Sequence, residues 1–482
     1  MNQGYLFRRV TANRSQSLHR SDEALVMSVE QREAGRQMGE DHTEGKKPTP
    51  VENIPKPVGE TKAQQRAWVE PTVWTERMLT ALGNGVKGGR WYSLMDKVHS
   101  QGNLHASWAR VRANGGAAGV DRQSISAFQT NAERHLDELK ERLKGNRYTA
   151  QSVKRVWIPK PGSPEKRPLG IPVVKDRIVQ AALRNVIEPI YENIFAEHSY
   201  GFRPGRGCKD ALRRVNELLK TGSTWVVDAD IKSYFDSIPH DKLMREVEEQ
   251  VADGKVLELI AGYLKQGIMD GLTEWAPDKG TPQGAVISPL LANIYLNKVD
   301  HAMRAKRYEM VRYADDFVIL CRSEAEAQET LAAVKDMIEE RGLTLHPEKT
   351  RIVNAAVRGG FDFLGYHFER GMRWPRKKSV AKLKDTLRQK TMRKSGVDMT
   401  TIIKDVNASL RGWFEYFKHS HKTAFPWIDG WVRMRLRSIL RKRLKRKGRG
   451  RGADHQRWPN AYFIAQGLFT LKTAYELARQ SH

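Results

Sequence analysis

Between residues 225 and 368 the chain alternates short apolar runs with amphipathic ones in an order that few folds accommodate. WVVDADI (225–231) reads as a short strand and HDKLMREVEEQV as a helix. The Gly/Pro loop GTPQGAVISP opens an apolar helix, PLLANIYLNKVDHAM, and VRYADDFVIL (311–320) reads as a hairpin with a polar pair near its turn. A helix (SEAEAQETLAAVKDMIEERG), a strand around TLHPEKTRIV and the block FDFLGYHF complete the series. Strand, helix, helix, strand pair, helix, strand describes an α+β domain, a small antiparallel sheet backed by helices. Alternation along the first strand puts Asp228 and Asp230 on one face. Asp315 and Asp316, taken alone, read as a solvated turn, because Asp favours turns. If the two strands are neighbours, however, Asp230 and Asp315 would meet, with Asp316 as a third carboxylate.

The flanking segments differ sharply in character. Residues 1–75 are polar, rich in Gln, Glu, Ser, Gly and Pro, and lack sustained periodicity, so they read as a largely disordered arm. Arg8, Arg9, Arg14 and Arg20 with no acid among the first 21 residues make a weak organelle-transit pattern, and the disordered arm is the preferred reading. Residues 76–224 begin with helices around the loop NGGAAGVDR. VKRVWIPK, the turn PGSPE and KRPLGIP then read as strand, turn, strand, and DRIVQAALRNVIEPIYENIF as a helix. Residues 225–370 hold the α+β series; 371–452 are helical and basic; 453–482 form a short C-terminal segment.

Charge is the second constraint. The chain carries a formal net charge of +27, and residues 371–452 alone hold 25 Lys plus Arg against 5 Asp plus Glu, a net +20. WVRMRLRSILRKRLKRKGRGRG (431–452) has 11 basic residues and no acid, too one-sided for a mixed solvated helix face. Such a stripe points to a polyanion whose phosphates it neutralises. Trp413, Tyr416 and Phe417, at i, i+3 and i+4, read first as a core-facing stripe and only second as a platform for RNA. Cys208 and Cys321 lie far apart without metal-ligand spacing, which argues against a disulfide framework or a zinc site and for a reducing, cytoplasmic setting. No apolar run reaches membrane-spanning length, so no membrane partner is expected.

The ordered blocks IPKPGSPEKRPLGIP, SYGFRPGRGC, VVDADIKSYFDSIPHDKL, GTPQGAVISPLLANIYLNKVD, RYADDF, GLTLHPEKT and FDFLGYHF resemble a group II intron reverse transcriptase/maturase, from about Trp74 onward. The resemblance implies a right-hand polymerase of fingers (76–224, with an N-terminal extension) and palm (225–370), followed by a helical thumb/maturase domain. It implies that Asp230, Asp315 and Asp316 are the catalytic carboxylates. They would bind two Mg2+ ions, for which Mn2+ can substitute, about 3.5–4 Å apart as nucleotidyl transfer requires. Lys160 and Arg167, flanking the PGSPEK turn, would grip a triphosphate by point charge and fork, with Lys166 able to replace one of them. Gln283 and Gly284 would lie under the nascent base pair, and Phe235 would exclude a ribose 2′-hydroxyl by bulk; its plain alternative is a core aromatic. Arg435, Arg437, Arg441, Lys442, Arg443, Lys445 and Arg446 are the expected RNA contacts.

The implied activity is RNA-directed DNA polymerisation from dNTPs on an RNA template with a DNA primer. The implied partners are group II intron RNA, whose splicing the protein assists, and target DNA. The 30 residues after Gly452 contain His455 and His482 but no cysteine, so no zinc-supported H-N-H endonuclease is expected, as in shorter bacterial members. Other readings are a splicing-only maturase, disfavoured by the intact carboxylates, and a domesticated reverse transcriptase in defence or repair. An RNA-dependent RNA polymerase draws support from Asp236, which could bond a 2′-hydroxyl, but Phe235 and the YADD turn oppose it.

Overall fold

A computed structural model describes residues 68–86, 88–159, 165–448, 450 and 452–480. Lys160 and residues 1–67 of the expected arm lie outside the described residues. By contacts the chain divides into two units. The first comprises the described residues up to Ala211 together with Ala229–Phe317 and Glu329–Thr350; the second comprises Leu212–Asp228, Val318–Gln328 and the described residues from Arg351 onward.

In the first unit, β1 (Val153–Pro159) and β2 (Lys166–Ile171) form the expected antiparallel hairpin, with Trp157 opposite Pro168 and Pro159 opposite Lys166. The helix Val174–Glu192 follows and is buried on nearly every side, taking the polar residues Asp176, Arg177, Gln180, Asn185 and Glu188 inside with its apolar ones. Two of its buried amide contacts run to a neighbouring helix: Asn185 donates to Asn103 Oδ1 at 2.8 Å, and Asn103 Nδ2 donates to the Ala182 carbonyl at 3.0 Å.

β3 (Trp225–Asp230) carries the first candidate carboxylates. Two further strands, β4 (Ile268–Asp270) and β5 (Thr273–Trp275), extend the first hairpin into a four-stranded sheet of order β2-β1-β4-β5, with β4 parallel to β1. Neither was expected from the sequence. The helix Ser288–Ala305, β6 (Glu309–Tyr313), β7 (Asp316–Cys321), the helix Glu324–Glu340 and β8 (Arg351–Asn354) then follow in the expected order. The second four-stranded sheet has the order β6-β7-β3-β8, and β8 runs antiparallel to β3.

In the second unit, β9 (Phe361–Phe363), β10 (Tyr366–Glu369) and β11 (Met372–Pro375) make a small antiparallel sheet. The helices Lys377–Lys390, Met399–Phe417 and Pro426–Arg443 pack around Leu387, Val406, Leu410, Ile428 and Leu436. Asp398 caps the second of these by accepting from the Thr401 amide at 2.8 Å. Of the aromatic stripe Trp413, Tyr416 and Phe417, only Phe417 is buried; Trp413 and Tyr416 are half-buried, with the Trp413 ring tilted against Phe417 at 4.7 Å.

The last segment is more than a short tail. Trp458, Phe463, Leu468 and Leu471 join the same core, and the buried Asp429 carboxylate accepts from the Leu471 and Lys472 amides, both at 2.9 Å, fixing the start of the helix Leu471–Gln480. Among the described residues no helix is long and apolar enough to cross a membrane.

Candidate active site

Asp230 ends β3, and the backbone around it is tied to the segment 344–346. The Asp230 carbonyl accepts from the His346 amide at 2.7 Å, and the Lys232 amide donates to the Thr344 carbonyl at 2.9 Å. One side-chain oxygen of Asp230 is held by Lys349 Nζ at 2.7 Å. Asp315 lies in the two-residue connection between β6 and β7, and its carboxyl is pushed above the ordinary carboxylate range. Burial is the main cause, the Asp230 charge adds to it, and Lys349 and Arg312 oppose it. The structure therefore brings Asp230 and Asp315 into one electrostatic neighbourhood. Asp316, the first residue of β7, is half-exposed.

A hard divalent cation fits this donor chemistry, since two mutually repelling carboxylates gain from an oxygen-seeking ion between them. In the arrangement present, Lys349 supplies that positive charge to Asp230. Among the described residues no group of three or more His, Cys, Asp or Glu side chains converges to hold a metal ion.

The turn bearing Asp315 is held by Arg312, which is 2% exposed. Its guanidinium donates to Asp300 at 2.7 and 2.5 Å, to Asn293 Oδ1 at 3.0 Å, to Ser199 Oγ at 2.7 Å and to the Ala314 carbonyl at 2.9 Å. Ala314 adopts φ +60°, unusual for a residue with a Cβ. Gly201, from the SYGFRPGRGC block, lies against it so closely that a Cβ at 201 would sit 2.4 Å from the Ala314 nitrogen. Only glycine fits there.

Phe202, the next residue, is also left-handed, at φ +59°. The loop around it leaves little choice: Arg203 is buried in an ion pair with Glu192 at 2.7 Å, and Asn293 donates to the Gly201 carbonyl at 2.8 Å. The Phe202 ring is thereby set 6.5 Å, edge-on, from Phe235 and 6.4 Å from Tyr313. Phe235 is half-buried beside the fully buried Tyr234 and so does not belong to the core.

The GTPQG loop is laid on the same segment. The Thr281 amide donates to the Phe235 carbonyl at 2.6 Å, and Gln283 Nε2 donates to Asp236 at 3.2 Å. Gly284, at φ +106°, permits close backbone approach: a Cβ there would lie 2.4 Å from the Gly170 carbonyl of β2. Arg167 is exposed on β2 opposite Ile158, while Lys166 stands opposite Pro159. Strand alternation sends Arg167 and Lys166 to opposite faces of the hairpin, so Lys166 is not an equivalent substitute for Arg167.

The basic stripe needs correction. Arg437, expected on an RNA surface, is 2% exposed and donates inward to the Trp458 carbonyl and Asn460 Oδ1, both at 2.8 Å. Arg435 donates to Thr391 Oγ1 at 2.9 Å and to its carbonyl at 2.7 Å, satisfying the end of the helix Lys377–Lys390. Arg441 pairs with the buried Asp454 at 2.6 Å. Arg443, though exposed, donates to the Val397 carbonyl. Lys442, Lys445 and Arg446 are exposed as well.

A small helix-backed sheet with Asp230 at the end of β3 and Asp315 at the turn into the neighbouring β7 is the architecture of the palm of a nucleic-acid polymerase. The comparisons carry this further. Residues 158–368 match the reverse transcriptase (RNA-dependent DNA polymerase) family, and residues 380–458 match the group II intron, maturase-specific domain. Protein YkfC of Escherichia coli (strain K12) is 35% identical over 298 residues, 52% of this chain and 76% of YkfC. The group II intron-encoded protein LtrA of Lactococcus lactis subsp. cremoris is 36% identical over 198 residues, 41% of this chain and 32% of LtrA. A chain of a solved partial Cas6-RT-Cas1–Cas2 complex aligns over 51% of this chain and 41% of its own at 26% identity, with a TM-score of 0.33. The chain belongs to the group II intron reverse transcriptase/maturase family, a right-hand polymerase domain followed by a helical maturase domain.

Lys349, Arg312 and Phe202 had no role in the reading of the sequence. Arg312 carried a signal, a cation inside an apolar strand immediately before YADD. The pairing of Lys349 with Asp230 and the seating of Phe202 are long-range and left no local trace.

Proposed function

We propose that this protein is an RNA-directed DNA polymerase that copies RNA from a DNA primer, binds a group II intron RNA, assists its splicing and supports its mobility into target DNA. The reading is supported by the placing of Asp230 at the end of β3 and of Asp315 at the turn into its neighbour β7, where the Asp230 charge helps to raise the Asp315 carboxyl, in a chain that also matches the maturase-specific domain. Asp230, Asp315 and Asp316 would hold two divalent ions, Mg2+ or Mn2+, which when bound activate the primer hydroxyl and neutralise the leaving phosphates.

The chain's own residues do the rest. Arg312 and Lys349 hold the carboxylates in place against their mutual repulsion. Phe235, backed by Phe202, fills the space a 2′-hydroxyl would need and so selects dNTPs. Gln283, oriented by Asp236, hydrogen-bonds the nascent pair, and Arg167 with Lys160 grips the triphosphate. Lys442, Lys445 and Arg446 take RNA phosphates.

The test is extension of a DNA primer on an RNA template by the purified protein, with Mg2+ and after chelation. Extension that needs the metal and prefers dNTPs is expected. Absence of extension while intron RNA still binds tightly would contradict the polymerase reading and leave a splicing factor.

A further inference from the structure

β1 and β2 carry Lys154, Arg155, Lys166 and Arg167 and no acid. β4 and β5 of the same sheet add Asp270 and Glu274, and two large aromatics are left open on it: Trp157 is 45% exposed and Trp275 36% exposed. They are not loose. The Arg155 guanidinium lies 5.5 Å from the Trp157 ring and 4.6 Å from the Trp275 ring, and the Trp157 indole donates to Asp270 at 2.9 Å. Three planar groups from β1 and β5 thus form a short ladder whose spare faces and edges meet solvent.

The ladder adjoins the nucleotide pocket. Arg155 and Gly170 are cross-strand partners and share a face of the sheet. On that face Gly170 lies against the Gln283 backbone: its amide donates to the Gln283 carbonyl at 2.6 Å, and a Cβ at 170 would lie 3.3 Å from that oxygen. Partial desolvation raises the carboxyl of Asp236, the partner of Gln283, and the Arg155 guanidinium opposes that rise, a further sign of proximity.

We propose that Trp157, Arg155 and Trp275 form a stacking platform for the first unpaired base of the template strand. The proposal rests on the polymerase reading. At a primer end only the template continues past the nascent pair, and its next base has both π faces free. Trp and Arg planes are the surfaces that take such bases without regard to sequence, and Lys166, on the same face of the hairpin as Arg155 and Trp157, adds positive charge for the phosphates alongside.

The experiment compares binding of the full chain, without nucleotides, to primer–template that is blunt and to primer–template whose RNA template overhangs by three nucleotides. A 2-aminopurine at the first unpaired position reports stacking. Wild type should bind the overhang roughly 5-fold or more tightly than the blunt duplex, with 2-aminopurine quenched. Trp157→Ala and Trp275→Ala should each erase most of that preference and the quenching, and leave blunt affinity within about 2-fold. Trp157→Phe, which keeps a stacking face and loses only the indole donor, should retain both. Equal losses on both substrates would mean that the ladder merely holds the sheet together and would overturn the proposal, as would a wild type indifferent to the overhang. Because binding is read without turnover, a failure of primer extension would show separately as a failure of the polymerase reading.

Discussion

Arg312 makes the clearest energetic prediction, because its surroundings leave no route to relief. Arg312→Leu removes five donated hydrogen bonds and leaves Asp300, which is wholly buried, without its cation. Breaking a buried pair from one side costs about 3–5 kcal/mol, whereas replacing both charges with apolar groups is often nearly neutral. Arg312→Leu should therefore lower the unfolding free energy by about 3–5 kcal/mol, and Arg312→Leu with Asp300→Leu should recover more than half of that loss. The single variant also strips the Ala314 carbonyl of its donor, so the turn holding Asp315 should loosen and primer extension should fall even where the protein is still folded. Urea unfolding followed by tryptophan fluorescence, for wild type, both single variants and the double, closes the cycle. A single variant within about 1 kcal/mol of wild type, or a double variant no better than the single, would refute the claim that this pair secures the hairpin.

Phe235→Ala should raise ribonucleotide incorporation relative to deoxyribonucleotide, and Phe202→Ala should do so more weakly by removing the ring that backs it. Single-nucleotide extension with each sugar checks this, and an equal loss of both activities with a lowered melting temperature would return both rings to packing. Replacing Lys442, Lys445 and Arg446 with Gln should flatten the salt dependence of RNA binding by about 0.7–0.9 in log–log slope per lost phosphate contact, whereas Arg437→Gln should chiefly lower the melting temperature. The reverse assignment would contradict their observed burial. Asp176 accepts from the Gln151 amide at 3.1 Å and Gln266 at 2.9 Å, yet burial, the dominant cause, lifts it from 3.8 to about 6. A carboxyl that binds its proton more tightly when folded contributes stability below pH 3.8 that is lost as pH rises through 6, so the stability of wild type relative to Asp176→Asn should fall by roughly 2 kcal/mol between pH 4 and 7. A pH-independent difference would show that the group titrates normally.

The elements that carry strong periodicity were legible: β3, the β6–β7 hairpin and the helix Val174–Glu192 each follow from where their apolar residues fall. β4 and β5 were not, because three-residue strands have no period to read and β5 is exposed throughout. Their pairing with β1 is a long-range event, and with it came the Trp157–Arg155–Trp275 ladder. The candidate site was legible as a set of residue types but not as a set of contacts. That Asp230 would find Lys349, or Gln283 would find Asp236, depends on loops whose conformations the whole first unit decides. Charge misled for a related reason: composition counts Arg437 and Lys442 alike, and only the helix's facing turns one into the core and leaves the other in solvent.

The central claim is that Asp230 and Asp315 do chemistry while the basic helical unit holds RNA. The most direct measurement takes Asp315→Ala and determines, on one preparation, primer extension on an RNA template in Mg2+ and the affinity for the same RNA. The account predicts that extension is abolished with affinity nearly unchanged, because the lost carboxylate is a cation ligand and not a phosphate contact. Retained extension would contradict it outright.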